Sequence, residues 1–382
     1  MKKIFYGKQY IDKNDKKLVL SSLSNDLITT GPYVEKFEKQ IKQFLKSKYS
    51  YVCSSGTAAI HLAMMALKFK KNDVILMPAI NFIASYNIAK IMKLKIYLVD
   101  VDEFTGQITP KKVLECIKKN KLKKIKALFV MFLGGYPEYS EKFYEIKKKY
   151  NFYIIEDACH ALGSEYESKK KLFKVGSCKH SDISTFSMHP VKTITTGEGG
   201  IITTNNFEIA KNIRLRRSHG IIKNKKKYWK YDIIEHGLNY RLSDINCALG
   251  ISQLKKINFF LRKREKIFKK YYEEFNNFND NLKLPQYSKN IKPSFHLFII
   301  NILFNKLKTS KDHFLKYLNN HNIIAQYHYI PIYKFSVYND KKITLSGSEI
   351  YFKNTISIPI FVDLNIKNQN KVIKIIKDYF KN

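Results

Sequence analysis

The chain has 382 residues, 45% of them hydrophobic, and a formal charge of +37 from 69 basic and 32 acidic side chains. That length leaves room for two domains and a large core. The longest apolar stretches, such as "ALFVMFLGGY", fall well short of the roughly 20 residues a membrane helix needs, so no membrane span is expected. The charge invites a nucleic-acid reading. Basic clusters such as "IKKNKLKKIK" and "LRKREKIFKKYY" sit on amphipathic segments, however, where solvated helix faces account for them. A basic nucleic-acid-binding protein therefore stands as the remote alternative, although the same positive field would help steer an anionic nucleotide substrate. Five scattered cysteines without a CxxC pair point to reduced thiols in a cytoplasm. The basic start lacks a following apolar run, so no signal peptide is read.

From residue 34 to 156 helical and extended patterns alternate. "PYVEKFEKQIKQFLK" has helical period, "YSYVCS" reads as a strand, and "TAAIHLAMMALKF" as a helix. The alternation continues through "DVILMP", "NFIASYNIAKIM", "KIYLVDV", "TPKKVLECIKK", "IKALFVMFL", "EKFYEIKKKY" and "FYIIED". Apolar strands between amphipathic helices imply a mainly parallel sheet sheathed on both faces. In such sheets ligands bind beyond the carboxyl ends of the strands. "DISTFSM" and "GGIITT" predict two more strands, and "FEIAKNIRLRRS" a helix. After the polar patch "KNKKKYWKYD", residues 223–232, one long helix is expected from 242 to 275. Beyond about 280, "SFHLFIINILF" and "IIAQYHY" read as strands and "SKDHFLKYLNN" and "VIKIIKDYF" as helices. The expected division is a large α/β domain over 1–251 and a smaller C-terminal α+β domain over 252–382, joined by the long helix.

Three motifs carry chemistry. In "VCSSGTAAIHLAMMAL" a strand ends and Ser54-Ser55-Gly56-Thr57 opens a helix. Exposed N–H groups and the helix dipole make such a terminus a phosphate seat, and an ordinary Ser/Thr cap competes with that reading. In "YIIEDACHALGSEY", Glu156 and Asp157 end an apolar strand. A carboxylate there is costly unless paired or hydrogen-bonded. A cationic ring nitrogen would satisfy it, and so would backbone N–H groups. His160 by itself reads as a locally satisfied histidine. In "FSMHPVKTITTGEGGIITTN", Lys192 stands among small, hydroxylated and glycine residues with no basic neighbour. A desolvated lysine with a lowered pKa is a nucleophile toward carbonyl carbons. Ser187 lies five residues before it, and Gly197, Gly199 and Gly200 allow tight turns. The glycines precede a strand, so they are no dinucleotide fingerprint. No histidine spacing suggests a metal. Phosphate seat, carboxylate and lysine together fit pyridoxal 5'-phosphate.

These segments, with "PAINFIAS", "RSHGI" and "LNYRLSDINCALGISQL", resemble the DegT/DnrJ/EryC1/StrS family of sugar aminotransferases. The resemblance implies a fold-type-I pyridoxal-phosphate-dependent transferase, active as a homodimer with shared sites. It implies Lys192 as the lysine that bonds the cofactor aldehyde and shuttles the proton, and Asp157 as partner of the pyridinium nitrogen. Phe82 would stack on the ring, Gly56, Thr57 and Ser187 would bind its phosphate, and His160 would contact the ring's side. Asn239 would reach the phosphate of the neighbouring subunit. "IIAQYHYIPIYKFSVY", "FYGKQYIDKNDKK" and "SHGIIKNKK" resemble the branch of the family that serves pseudaminic acid biosynthesis. That branch moves the amino group of L-glutamate to the C4 ketone of a UDP-linked 4-keto-6-deoxy-N-acetylhexosamine. By position Tyr6, Asp26, Leu27, Ile28, Thr29, Gln326, Tyr327, His328 and Tyr329 would line the nucleotide-sugar pocket. Met188 and Gly197 depart from that branch's pattern, where Phe and Ala stand, so another nucleotide-linked 3- or 4-keto sugar stays open as substrate.

Overall fold

The computed structural model describes residues 3–224, 226–227, 229–338 and 343–381. Lys225 and Tyr228, within the polar patch expected at 223–232 (Lys225 also within "SHGIIKNKK"), lie outside the described residues. Helix α1 (Lys13–Ser22) begins at a capping box: Asp12 accepts from the N–H groups of Asn14 and Asp15, and Asp15 accepts from that of Asp12. Helix α2 (Pro32–Leu45) follows a glycine N-cap, Gly31, which has no side chain to offer. The missing acceptor comes from far along the chain. Buried Asp244 accepts from the N–H groups of Gly31 at 2.8 Å, Tyr33 at 2.7 Å and Val34 at 3.3 Å.

The alternation then runs as expected: β1 (Tyr49–Cys53), α3 (Gly56–Ala66), β2 (Val74–Pro78), α4 (Ala84–Ile91), β3 (Lys95–Val99), α5 (Pro110–Lys119), β4 (Ala127–Met131), α6 (Ser140–Tyr150) and β5 (Tyr153–Asp157). A hairpin unforeseen in the sequence, β6 (Glu165–Ser168) and β7 (Lys171–Lys174), precedes β8 (Ile183–Ser187), β9 (Gly200–Thr204) and α7 (Phe207–Arg216). The seven-stranded sheet has the order β1-β9-β8-β5-β4-β2-β3. Strands β8, β5, β4, β2 and β3 pair in parallel, and β9 runs antiparallel between β8 and β1. Strand β4 is buried along its whole length, because helices cover both faces. The carboxyl ends of β1, β2, β4, β5 and β8 consequently open on one side of the sheet.

A short hairpin, β10 (Ile221–Lys223) with β11 (Tyr231–Ile233), leads to α8 (Asp244–Lys255) and α9 (Ile257–Phe275). The single long helix expected at 242–275 is thus two. Lys256 leaves helical geometry at φ −101° and ψ 1°. Its ammonium is drawn to Asp15 at 2.6 Å and Asp12 at 2.8 Å, a tie to α1 that local periodicity does not encode. The remainder comprises β12 (Leu282–Lys283), β13 (Ile291–Lys292), β14 (Phe298–Ile302), α10 (Lys311–Asn320), α11 (Ser346–Asn354), β15 (Thr355–Ile358) and α12 (Ile366–Tyr379). The expected strand at "IIAQYHY" is not formed. Ile323 and Gln326 make isolated bridges to Ile4 and Ser357, after which His328 and Tyr329 turn toward the sheet. Two apolar cores flank the large sheet, and a third gathers Ile4, Tyr271, Phe298, Phe314, Ile356 and Ile376 among others. Among the described residues no helix is long and apolar enough to cross a membrane.

Replacing Asp244 with alanine leaves three N–H donors at the start of α2 without their acceptor. The expected loss is about 3 kcal/mol of stability, read as a lower urea midpoint, with Asp244→Asn recovering part of it.

Candidate active site

A cavity of about 330 Å³ opens at the carboxyl ends of the parallel strands. The end of β1 delivers Ser55, which caps α3 by accepting from Ala58 N–H at 3.0 Å. The first helical residues, Gly56 and Thr57, face the cavity. Gly56 is required there by space: a β-carbon on it would stand 2.8 Å from Cβ of Ser187, at the end of β8. The gap between the helix terminus and Ser187 is a cradle that any side chain on residue 56 would fill.

Strand β5 ends in Asp157, 3% exposed. Its oxygens accept from the Cys159 N–H at 3.3 Å and the Ser85 hydroxyl at 3.5 Å, both long, and the Cys159 thiol adds a bond. Burial raises its pKa; Cys159, Lys192 and Ser85 pull the other way. A carboxylate so thinly satisfied fits a cationic hydrogen-bond donor in the cavity. The Cys159 thiol is held well above its usual pKa by burial and by the Asp157 charge.

Lys192 hangs on the loop between β8 and β9. The loop closes on itself: Met188 N–H donates to Gly199 at 2.8 Å, Thr196 N–H and the Thr195 hydroxyl reach Met188 O at 3.0 Å, and Lys192 N–H donates to His189 O at 2.9 Å. Gly197 turns at φ +79°, a conformation suited to glycine. Small and hydroxylated residues around the lysine are therefore what lets its backbone fold tightly into the sheet's end. Burial lowers the Lys192 pKa; Cys159 and Asp157 oppose that, and Arg264 adds to it.

Opposite the lysine stand three histidines. The His160 and His296 ring centroids are 4.2 Å apart. His160 Nδ1 accepts from Gly134 N–H at 3.3 Å, which leaves Nε2 as the donor to the Tyr329 hydroxyl at 3.0 Å. His328 pairs through Nδ1 with the Ser357 hydroxyl at 2.9 Å. Burial pushes the pKa of His328 down to about 3 and those of His160 and His296 well below the usual histidine value. All three are neutral at physiological pH.

The cavity brings together ten of the residues singled out in the sequence: Tyr6, Gly56, Thr57, Phe82, Asp157, His160, Ser187, Lys192, His328 and Tyr329. Phe82 is 53% exposed, its ring 5.8 Å from that of Tyr329. Asn239 lies outside the cavity, exposed and bridged to Ser218. Asp26, Leu27, Ile28 and Thr29 form an exposed loop fastened to the start of α8, where Asp244 N–H donates to Ile28 O at 2.9 Å. Gln326 is exposed beside Ser357, and Tyr327 packs on Phe352. The sequence did not single out Cys159 or His296 as site residues. Cys159 sits inside the recognisable "EDACHA" motif. His296 has no such signal, because "SFHLFII" reads as a strand start.

A model of the DegT/DnrJ/EryC1/StrS aminotransferase family matches residues 9–377. The chain belongs to that family. It is an aminotransferase with the fold-type-I architecture. A UDP-4-amino-4,6-dideoxy-N-acetyl-β-L-altrosamine transaminase of Campylobacter jejuni is 39% identical over 379 residues, covering 98% of this chain and 96% of that one. A Helicobacter pylori transaminase of the same name is 33% identical, covering 99% and 98%. The solved structure of H. pylori PseC, an aminotransferase involved in the biosynthesis of pseudoaminic acid, superposes with a TM-score of 0.90 at 29% identity over the whole of both chains.

The cradle gives this family aminotransferase a direct test. In Gly56→Ala, a phosphate-bearing ligand, with pyridoxal phosphate as probe, is expected to bind about tenfold or more weakly. Spectroscopic titration reads the affinity, and circular dichroism checks that the fold is kept.

Proposed function

We propose that this aminotransferase uses pyridoxal 5'-phosphate to move the amino group of L-glutamate to the C4 ketone of a UDP-linked 4-keto-6-deoxy-N-acetylhexosamine. The product is UDP-4-amino-4,6-dideoxy-N-acetyl-β-L-altrosamine. The observation that carries the reading is the meeting of Lys192, Asp157 and the Gly56–Ser187 cradle in one cavity. The names borne by full-length relatives at 33–39% identity support the choice of sugar. When bound, the cofactor supplies an electron sink for the charge left by a departing α-proton.

The residues fit that group. Asp157, buried and thinly hydrogen-bonded, would pair with the ring nitrogen. Gly56, Thr57 and Ser187 would hold the phosphate, Phe82 would cover one ring face, and His160 would stand at the ring's side. Lys192 would bond the cofactor aldehyde. Its neutral Nζ would take the α-proton of glutamate and, in the second half-reaction, would deliver a proton to C4 of the sugar. Because burial lowers the Lys192 pKa, the proton-accepting amine persists further down the pH scale and is lost as pH falls through that pKa. Tyr6, His328 and Tyr329 would receive the sugar, with Gln326 and Tyr327, just before His328 in the chain, contacting its nucleotide part.

The protein is proposed to work as a homodimer in the cytoplasm, divided near residue 251 into a large and a small domain. Asn239 and the loop Asp26 to Thr29 lie outside their own protomer's cavity, where they could serve a neighbour's. Exposed apolar residues nearby, among them Leu27, Ile28, Ile222, Tyr231, Ile233 and Leu238, suit burial against a second copy. The third core supports the division, with Ile4 crossing back into it.

Borohydride reduction of the yellow holoprotein should fix the cofactor to the peptide bearing Lys192, and Lys192→Ala should lose both the absorbance and turnover. Asp157→Ala should keep its fold while turnover drops by about two or more orders of magnitude; near-normal turnover removes Asp157 from this role. The sugar is tested by mass spectrometry of products from UDP-, GDP- and dTDP-linked 4-keto sugars with glutamate. Amination of the UDP-linked N-acetylhexosamine is expected, and preference for another nucleotide or sugar overturns that assignment.

A further inference from the structure

We propose that Arg264 is a positioning residue of the lysine site: its guanidinium ties the Lys192 loop to the backbone at His296 and stands as a fixed positive charge behind the lysine amine. The inference rests on the reading of Lys192 as the proton-transferring amine.

Arg264 lies on α9 and is 1% exposed. Nη1 donates to the carbonyl oxygens of Ile360 at 3.1 Å, His296 at 3.3 Å and Phe295 at 3.5 Å, and Nη2 to that of Val191 at 3.5 Å. These carbonyls belong to three separate segments. Val191 immediately precedes Lys192, His296 lines the cavity, and Ile360 follows β15. Among the described residues no carboxylate forms an ion pair with this guanidinium. A buried cation normally has an anionic partner; this one is held by carbonyl oxygens at Nη1 and Nη2, with no partner for its Nε among the described residues, and its charge lies in a medium that screens it poorly. Burial pushes the Arg264 pKa down to about 10, so it remains a cation at neutral pH. A planar fork with several donors spans three segments at once, which a single ammonium does not.

The charge matters because of what else faces Lys192. Asp157 and Cys159 approach from the end of β5, and both favour the ammonium form. His160, His296, His328, Tyr329 and Tyr6 line the other walls, with His189 and Glu198 on the lysine's own loop. His160, His296 and His328, their pKa values lowered by burial, add no charge. A buried carboxylate beside a lysine, left unopposed, would hold its proton in place. Burial is the largest influence toward the free amine, and the Arg264 guanidinium adds to it.

The test uses the full-length protein without cofactor. Limited acetylation by acetic anhydride over a range of pH, followed by quantitation of the Lys192 peptide by mass spectrometry, reads the midpoint of that amine directly. In the wild type the midpoint should lie below that of surface lysines in the same digest. Arg264→Met should raise it by about one pH unit. Arg264→Gln, neutral but still able to donate to a carbonyl, should do the same, whereas Arg264→Lys should stay near the wild-type value. A midpoint unmoved in either neutral variant that folds, or a wild-type midpoint no lower than the surface lysines, overturns the proposal. Borohydride labelling of the holoprotein reports separately on whether Lys192 bonds the cofactor, so the two readings can fail independently.

Discussion

An amine that is to accept a proton must be free of one, and a folded protein offers two ways to arrange that: removal from water and proximity to positive charge. Both converge on Lys192. The loop that carries it is wound tightly through threonine hydroxyls and a left-handed glycine, so that the side chain projects into the crevice at the end of the sheet rather than into solvent. Desolvation disfavours the ammonium, and Asp157 opposes this from the adjacent strand. The site is a balance between those two influences. Each neighbouring group can be understood by which side it takes.

The balance depends on strand order. β8 carries the lysine loop and β5 the carboxylate, and the two are adjacent in the sheet. The cradle comes from β1 and α3, but β1 is separated from β8 by the antiparallel β9. Contact is restored through Gly56, whose missing side chain lets the helix terminus approach Ser187. A β-carbon at residue 56 would stand 2.8 Å from that of Ser187, so glycine is what admits this approach.

Much of this could be read from the sequence, and the reasons are local. Buried parallel strands between amphipathic helices leave a strong periodic pattern, and nine successive elements from α2 to α6 followed it. The motifs around Gly56, Asp157 and Lys192 were legible because each couples a strand end to a turn with defined chemistry. What escaped depends on distant partners. The break at Lys256 is set by Asp12 and Asp15, more than two hundred residues away. "IIAQYHY" has the composition of a strand, yet it meets β15 at one bridge and gives His328 and Tyr329 to the cavity instead. His296 reaches the site through the path of the chain after β13, and Arg264 appears in "LRKREK" as one more basic residue on a solvated helix. Its burial sets it apart from Arg262 and Lys263, and burial is a property of the folded neighbourhood.

The large positive charge of the chain, +37, and the mixed wall of the cavity, with histidines and tyrosines beside Asp157, Glu198 and Lys192, then play different parts. Long-range attraction acts on a nucleotide-linked sugar through its diphosphate while the molecule is still in solvent, and salt screens it within about a Debye length. Histidines kept neutral by burial, with tyrosine hydroxyls between them, present directional donors and acceptors suited to hydroxyl and carbonyl groups. Many of the lysines that dominate the composition lie on helix faces; Lys192, in the cavity, is buried and stripped of its water. On the proposed function, the outer charge would draw an anionic substrate toward the protein, and the hydrogen-bonding groups of the cavity would sort it there.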